Sequence, residues 1–563
     1  MTRRLILPSL ALFLVACATT EPEPPGQGAA DYYGTLEPFA SEAVYFLLTD
    51  RFVDGDPANN YPDQGGEQHG TFDRPVQLSG SPPGNIGYLG GDFKGVLDNA
   101  GYIADMGFTA IWTTPIVDNP DEAFTGGIRP GEGFGADRGK TGYHGYWGVN
   151  FFAVDEHLES QDLTFADLTR SLDDDFGIKY ILDVVCNHGS PAYSMPVDQP
   201  KFGELYDGTG ALVADHQNTH PHDLDPENPL HAFFNTSPDL AQLSDMNENN
   251  PDVLEYFVAA YTQWLNQGVA GMRIDTVKHM PHSYWKAFTD RMRDVRPGLF
   301  MFAESYSFDA QEIAEHTFPE NGGISVLDFP GRAAMTSVFG DGGDYNELES
   351  YLHLESGTYE NPYELMTFYD NHDMSRIAAD DNGYIDAHNW LFTSRGIPVI
   401  YYGSEIGFRA GLDEHAGNRD YFGQDNVERA KSHPIHAALT RIANIRKNSI
   451  ALQRGLQVYT GFGPRSASFF RVYQKDGVTQ TALVLLNGGD APLTMRFGQL
   501  PANGAWKDAV SGHEVWVNDD FAGLEEEIAP HGVRVYLTDA PITNPEFLQL
   551  LDRMQDNARR RMP

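Results

Sequence analysis

The sequence predicts an α/β protein: a (β/α)8 TIM barrel with an inserted domain after the third strand and a C-terminal antiparallel β-sandwich. Three observations predict it. Eight short apolar runs alternate with longer amphipathic stretches, the pattern of parallel strands joined by helices. The stretch from His188 to Pro251 is polar, rich in Asn, Asp, His and Pro, and too long for a structureless loop. After about residue 450 the chain turns to short strands, with a Lys475-Asp476-Gly477 turn. The alternation in the first part also fits a doubly wound open sheet.

The elements follow in order. "MTRRLILPSLALFLVAC" has a basic start, an apolar run and small residues before Cys17, which is a secretory signal over 1–17. Its end, Leu14 to Cys17, resembles the lipobox of bacterial lipoproteins, which implies lipidation at Cys17 and a place in the cell envelope. Residues 18–40 are rich in Pro, Glu and Gly and read as a disordered tether. The expected strands are "AVYFLLTD" (43–50), "FTAIWTTP" (108–115), "IKYILDVV" (178–185), "GMRID" (271–275), "LFMFAES" (299–305), "ISVLDF" (324–329), "ELMTFYD" (364–370) and "IPVIYYG" (397–403). They place the barrel at 41–188 and 247–448 and the inserted domain at 189–246. The sandwich takes 449–540, with strands such as "SASFFRVY" and "TALVLLN". In 541–563, Phe547, Leu550, Leu551 and Met554 recur at helical spacing after an Asn-Pro start, predicting a docked helix with a basic end.

Composition narrows the function. The 563 residues carry a formal net charge of −42, a poor match for nucleic acid. There are two cysteines, and with Cys17 lipidated the mature chain has no intrachain disulfide. No stretch after the signal is long and apolar enough to span a membrane, so contact with lipid would be through the anchor alone.

The chemistry begins at "GMRIDTVKH" (271–279), where Arg273 and Asp275 lie two apart on a buried strand and so point to one face. An ion pair that joins two elements is one reading. A carboxylate kept ionised for chemistry by a guanidinium is the other. Strand ends carry further acids: Asp183 in "DVVCNH", Glu304 in "FAES" and Asp373 in "FYDNHD". His144, His188 and His372 fall in comparable places. Paired carboxylates at one barrel mouth point to glycoside hydrolysis, whereas metal hydrolases need clustered histidines such as HExxH, which the sequence lacks.

"DVVCNH", "GMRIDTVKH", "FAES" and "FYDNHD" resemble the core motifs of the α-amylase family, glycoside hydrolase family 13, in order and spacing. "LSDMN" (243–247), "GYHGYW" (142–147) and "IPVIYYGSE" (397–405) are similar to further family patterns, and the resemblance covers roughly 41–540. It implies Asp275 as nucleophile, Glu304 as acid/base, and Asp373 as stabiliser of the oxocarbenium-like state. Arg273 would pair with Asp275 and not with Glu304, which would separate their pKa values. The resemblance implies substrate binding by Tyr146, His144, His188, Arg273 and His372, with Lys278 and His279 on the acceptor side.

"DGDPANN" resembles the N-terminal calcium loop of cyclodextrin glucanotransferases, implying Ca²⁺ ligands from Asp54, Asp56, Asn59 and Asn60, with Gly90 and Asp92 from a later "GGD". Asn187, Asp245 and the His279 carbonyl match three ligands of a second family site. Cyclising members carry an aromatic four residues before the fifth-motif aspartate, where this chain has Ala241, and a further starch-binding domain after the sandwich. The expectation is therefore hydrolysis of α-1,4-glucans. Cyclomaltodextrin hydrolysis and 4-α-glucan transfer are alternatives from the same machinery, and a glucan-binding surface lipoprotein without catalysis is a third.

Overall fold

The computed structural model describes residues 30–77, 82–133, 136–355, 357–414 and 417–558. The expected signal over 1–17, the first part of the tether and the basic C-terminal end lie outside these residues.

Each of the eight expected runs contains a parallel strand: β1 Val44–Leu47, β2 Ala110–Thr113, β3 Lys179–Val184, β4 Gly271–Ile274, β5 Phe300–Ala303, β6 Ser325–Val326, β7 Met366–Thr367 and β8 Ile397–Tyr401. Their order is β6-β5-β4-β3-β2-β1-β8-β7. A parallel bridge from Leu327 to Met366 joins the two ends, and the Asp328 N–H donates to the Met366 carbonyl at 2.9 Å. That bridge closes the barrel and excludes the open sheet. The strands are buried on both faces, which is why they read as continuous apolar runs.

Helices cover the outside. The one at Phe165–Phe176 starts on a Thr164–Asp167 capping box and stops at Gly177, where φ is 64°. The one at Pro251–Leu265 starts on an Asn250 cap with proline at its first turn. Its Tyr261 hydroxyl accepts from the Val185 N–H at 2.8 Å and donates to the Val185 carbonyl at 2.9 Å. This clamps the end of β3 beside the barrel mouth.

Two excursions rise from that mouth. Between β2 and β3, Val117–Asp118 pairs with Asn150–Val154. Between β3 and β4, His188–Pro191 pairs with Leu243–Asp245, and Glu204–Tyr206 with Leu212–Asp215. Phe124 and Trp147 of the first excursion and Met195 and Phe202 of the second share a small apolar core.

The C-terminal strands are β9 Leu456–Gly463, β10 Ser466–Lys475, β11 Val478–Asn487, β12 Leu493–Phe497, β13 Gly504–Asp508, β14 Glu514–Val517, β15 Leu524–Ile528 and β16 Gly532–Thr538. Six form one antiparallel sheet in the order β9-β10-β11-β16-β13-β14, and β12 pairs with β15. The last helix, Pro545–Ala558, buries Leu551 and Met554 and sets Phe547 against Phe470. No helix among the described residues is long and apolar enough to cross a membrane.

The expected tether over 18–40 needs correction. From residue 30 the chain is packed: Tyr32 is buried and donates to Asp552 Oδ1 at 2.7 Å, and it pairs with Gln474 of the C-terminal sheet. Phe39 stacks on Phe300 at 4.5 Å. Composition missed this because the partners lie hundreds of residues away. The aromatic side chains, not the Pro and Glu around them, decide the outcome.

Candidate active site

The register of the barrel assembles the site. Arg273 on β4 lies directly beside Asp183 on β3, so both side chains face the same way. Arg273 Nη1 bridges Asp183 Oδ1 at 2.8 Å and Asp275 Oδ1 at 2.7 Å, and Nη2 bridges Glu304 Oε2 at 2.9 Å. Asp183 also accepts from Trp112 Nε1 at 3.0 Å and from the Tyr146 hydroxyl at 2.9 Å. The ladder continues past the strands: the Asp275 N–H donates to the Val184 carbonyl and the Glu304 N–H to the Ile274 carbonyl.

This arrangement corrects the expectation that Arg273 would serve Asp275 alone. The guanidinium serves both carboxylates, because a planar fork presents two nitrogens to two acids at once. Nor is Arg273 a substrate-facing residue: its side chain is 1% exposed and lies behind the carboxylates. Burial pushes the Glu304 carboxyl up to about 8, with Arg273 opposing and Asp275 and Asp373 adding to the rise. Burial likewise raises Asp183 to about 7, against the pull of Arg273.

Asp373 sits at the rim of the cleft, its side chain about a third exposed. Arg419 Nη2 holds its Oδ1 at 2.6 Å, and His372 Nε2 lies 3.2 Å from its Oδ2. Burial works against ionisation of Asp373, but His372, Arg419 and Arg273 outweigh it and hold the carboxyl below the usual range. Burial pushes His372 itself down to about 3, so its charge acts on Asp373 only in acid, and at neutral pH Arg419 is the permanent cation.

A cleft of about 690 Å³ opens over these groups. Asp275, Glu304, Asp373, His144, Tyr146, His188, His372, Lys278 and His279 all line it. Tyr146 stacks against His372 at 5.3 Å, and its N–H donates to His144 Nδ1 at 3.1 Å. Lys278 Nζ donates to the Tyr306 carbonyl at 2.8 Å. Lys140, Glu414, Arg419 and Tyr306 also line the cleft and were not singled out from the sequence. They come from loops whose spacing carries no period. An arginine in the loop after β8 was the available signal for Arg419.

A family model described as the catalytic domain of α-amylase matches residues 46–449. The chain belongs to the α-amylase family. It is accordingly a glycosidase by family. Among its relatives, a cyclomaltodextrin glucanotransferase of Klebsiella oxytoca is 28% identical over 537 residues, covering 87% of this chain and 76% of that protein. An α-amylase of Niallia circulans is 30% identical over 463 residues, covering 80% and 81%. A solved cyclomaltodextrin glucanotransferase described as having a three-domain ABC distribution superposes with a TM-score of 0.70 at 28% identity, covering 89% of this chain and 99% of that one.

In this α-amylase-family chain the expected calcium loop has a donor set that suits a hard cation. Asp54 Oδ1, Asn59 Oδ1 and Asn60 Oδ1 are buried without a hydrogen-bond partner. Three orphaned oxygens in one loop are what an oxygen-seeking ion would satisfy. A Cβ on Gly90 would stand 2.5 Å from Asn60 Oδ1, so the glycine keeps that approach open. Asp92 is differently occupied: its carboxylate accepts from the N–H groups of Gly55, Asp56 and Gly95 and shapes the loop.

At the second expected site, Asn187 and His279 converge on Asp239 Oδ2, at 3.3 and 2.8 Å. Asp239 was not recognised from the sequence. Burial raises the nearby Asp245 to about 7, with Asn235 opposing and Asp239 and Glu248 adding. A further acidic group, Asp118 and Asp121, is bridged by Lys201 Nζ at 3.3 and 3.1 Å.

Because Arg273 is the shared counter-charge, Arg273→Leu should lower stability by about 3–5 kcal/mol, the cost of leaving buried acids uncompensated. Urea unfolding measures it. A loss below about 1 kcal/mol would mean that the cluster is held by other contacts.

Proposed function

We propose that the protein cleaves α-1,4-glucosidic bonds of starch-type glucans or maltooligosaccharides with retention, through a covalent glycosyl-enzyme. One observation carries this reading. Asp275 and Glu304 sit on the two terminal nitrogens of one guanidinium, at 2.7 and 2.9 Å. Two acids held by one guanidinium suit the ~5–5.5 Å spacing of a retaining pair better than the ~6.5–9.5 Å of an inverting pair. Asp275 is the nucleophile. Glu304, protonated at neutral pH, gives its proton to the leaving oxygen and then takes one from the incoming water. Asp373, ionised and fixed by Arg419, stabilises positive charge on the sugar ring. Tyr146 offers a face for that ring, and His144, His188 and His372 line its pocket.

Hydrolysis is favoured over cyclising transfer because Leu240, Ala241 and Leu243 form one wall of the cleft without an aromatic side chain. The three-domain organisation does not separate the two activities, since a solved glucanotransferase is described with it. Cyclomaltodextrin cleavage or 4-α-glucan transfer is the alternative outcome of the same intermediate.

Asp275→Asn should abolish turnover of soluble starch with the melting curve unchanged. In the wild type, kcat/KM should fall as pH rises through about 8, where Glu304 loses the proton it must donate, and Glu304→Gln should remove both the activity and that limb. Near-wild-type turnover in either variant would sink the assignment of these two acids.

Calcium is proposed at the loop of Asp54, Asp56, Asn59 and Asn60, with Gly90 and Asp92 behind it, and at Asn187, Asp239, Asp245 and the His279 carbonyl. It would supply rigidity beside the cleft. EDTA should lower the melting temperature and added calcium restore it, with Asp54→Ala blunting the response. Equal melting in EDTA and in excess calcium would count against both sites.

A lipid anchor at Cys17 is proposed from the lipobox, in the cell envelope. Tyr32 lies on the C-terminal sheet, and Thr35 Oγ1 donates at 2.6 Å to Glu364 Oε1, which precedes β7 and so stands at the end of the barrel opposite to the cleft. A leash there would leave the cleft facing away from lipid. Cys17→Ser should prevent incorporation of labelled fatty acid and release active enzyme from the membrane fraction. An unlabelled, soluble wild type would refute the anchor.

A further inference from the structure

The C-terminal sheet meets the barrel at a histidine held between two acids. His531 stands in the turn from β15 to β16, with a left-handed backbone at φ 51°. Its Nδ1 lies 2.8 Å from Asp386 Oδ2, and its Nε2 lies 3.1 Å from Asp490 Oδ1. Asp386 belongs to the barrel, on the helix Asp381–Thr393 between β7 and β8, and is buried. Asp490 belongs to the sheet, in the turn from β11 to β12, and is fully exposed. Asn487 Nδ2 braces the two turns against each other, donating to the carbonyls of Ala491, Ile528 and Ala529 at 2.9, 3.1 and 3.0 Å. Sheet and barrel also approach closely here. A Cβ on Gly488 would stand 2.1 Å from the Tyr345 hydroxyl and 3.0 Å from Asp386 Oδ2.

Both ring nitrogens of His531 face carboxylate oxygens. An ionised carboxylate only accepts hydrogen bonds, and a neutral imidazole carries a single N–H. The two contacts are therefore made together by the imidazolium. Burial works against that charge, but Asp386 and Asp490 outweigh it and raise the ring above the usual histidine range. Burial pushes Asp386 up to about 6, with His531 and Arg465 opposing and Asp380 adding to the rise. Burial and Asp386 together raise the Tyr345 hydroxyl well above its usual range, so it stays protonated beside the pair. Two further cations at this face are guanidiniums. Arg465 Nε donates to the Gly488 carbonyl at 2.9 Å, and Arg471 Nη1 to the carbonyls of Thr393 and Ser394 at 2.9 and 2.6 Å. A guanidinium keeps its charge near neutral pH, whereas an imidazole does not.

We propose that His531 is a pH-sensitive latch between the C-terminal sheet and the barrel, closed while its ring is charged and released in alkali. Loss of the proton removes one of the two contacts and leaves the buried Asp386 without this counter-charge. Because the folded-state value of His531 is raised, its contribution is complete below the ~6.5 of a free histidine and is lost as pH rises through the raised value. Asp386 is also raised, so its own ionisation costs stability as pH passes about 6, a cost that a charged His531 limits. The latch does not depend on the reaction proposed above.

The test uses the full chain and follows thermal melting of the wild type, His531→Gln, Asp386→Asn and the double variant at about pH 6.5 and about pH 9.5. At the lower pH, His531→Gln should melt about 2 °C below wild type, the scale of a partly exposed ion pair in a chain of this size. At the higher pH the gap should close, because the wild-type ring is then uncharged as well. Asp386→Asn should lower the melting temperature of the wild type at about pH 6.5 but not that of the His531→Gln variant, where the buried carboxylate has already lost its partner. Should Asp386→Asn not fold, the pH dependence of the His531→Gln gap decides alone. A gap of equal size at both pH values would give His531 a role of shape alone and overturn the latch. So would the absence of a gap at the lower pH, or losses that simply add in the double variant.

Discussion

The site depends on one buried guanidinium that serves three acids. Arg273 touches Asp183, Asp275 and Glu304 at 2.7–2.9 Å, with almost no solvent between them. One positive charge cannot neutralise three negative ones in a medium of low dielectric, where like charges a few ångströms apart repel strongly. The balance is restored by protons. Glu304 and Asp183 are raised to about 8 and 7, so near neutral pH the cluster retains protons that fully exposed carboxylates would have lost. Burial, together with a shortage of counter-charge, thereby leaves Glu304 able to donate a proton beside Asp275, as the proposed mechanism requires. The ion-pair and catalytic readings of Arg273 and Asp275 are one arrangement seen from two sides.

The barrel makes this arrangement possible because its strands are parallel. Parallel neighbours end at the same level, so the last residues of β3, β4 and β5 meet at one mouth. Loops then supply what strands cannot. The segment after β8 brings Arg419 to Asp373, and the excursions after β2 and β3 build the walls. The small core of Phe124, Trp147, Met195 and Phe202 binds those excursions to each other.

The two sides of the cleft differ in character. Near Asp373 stand Lys140, Glu414 and Arg419, charged groups suited to gripping hydroxyls. Leu240, Ala241 and Leu243 give the cleft an apolar stretch of wall.

While the Leu327–Met366 bridge decided that the barrel closes, the sequence by itself determined the eight strands and the acids at their ends. Each of these is written in local periodicity: a buried parallel strand must be an apolar run, and a functional acid at its end interrupts that run visibly. It also marked the oxygen-rich loop at Asp54–Asn60, because four oxygen side chains packed into so short a stretch are a local signal. Only the tertiary structure decided which charges meet. Arg419, Asp239 and the docking of Tyr32 and Phe39 join residues far apart in the chain, and no period connects them. Nor could the sequence tell that Arg273 serves Glu304 as well as Asp275. That depends on the lateral register of β4 with β5, and register is a property of strand pairing in space rather than of either strand alone.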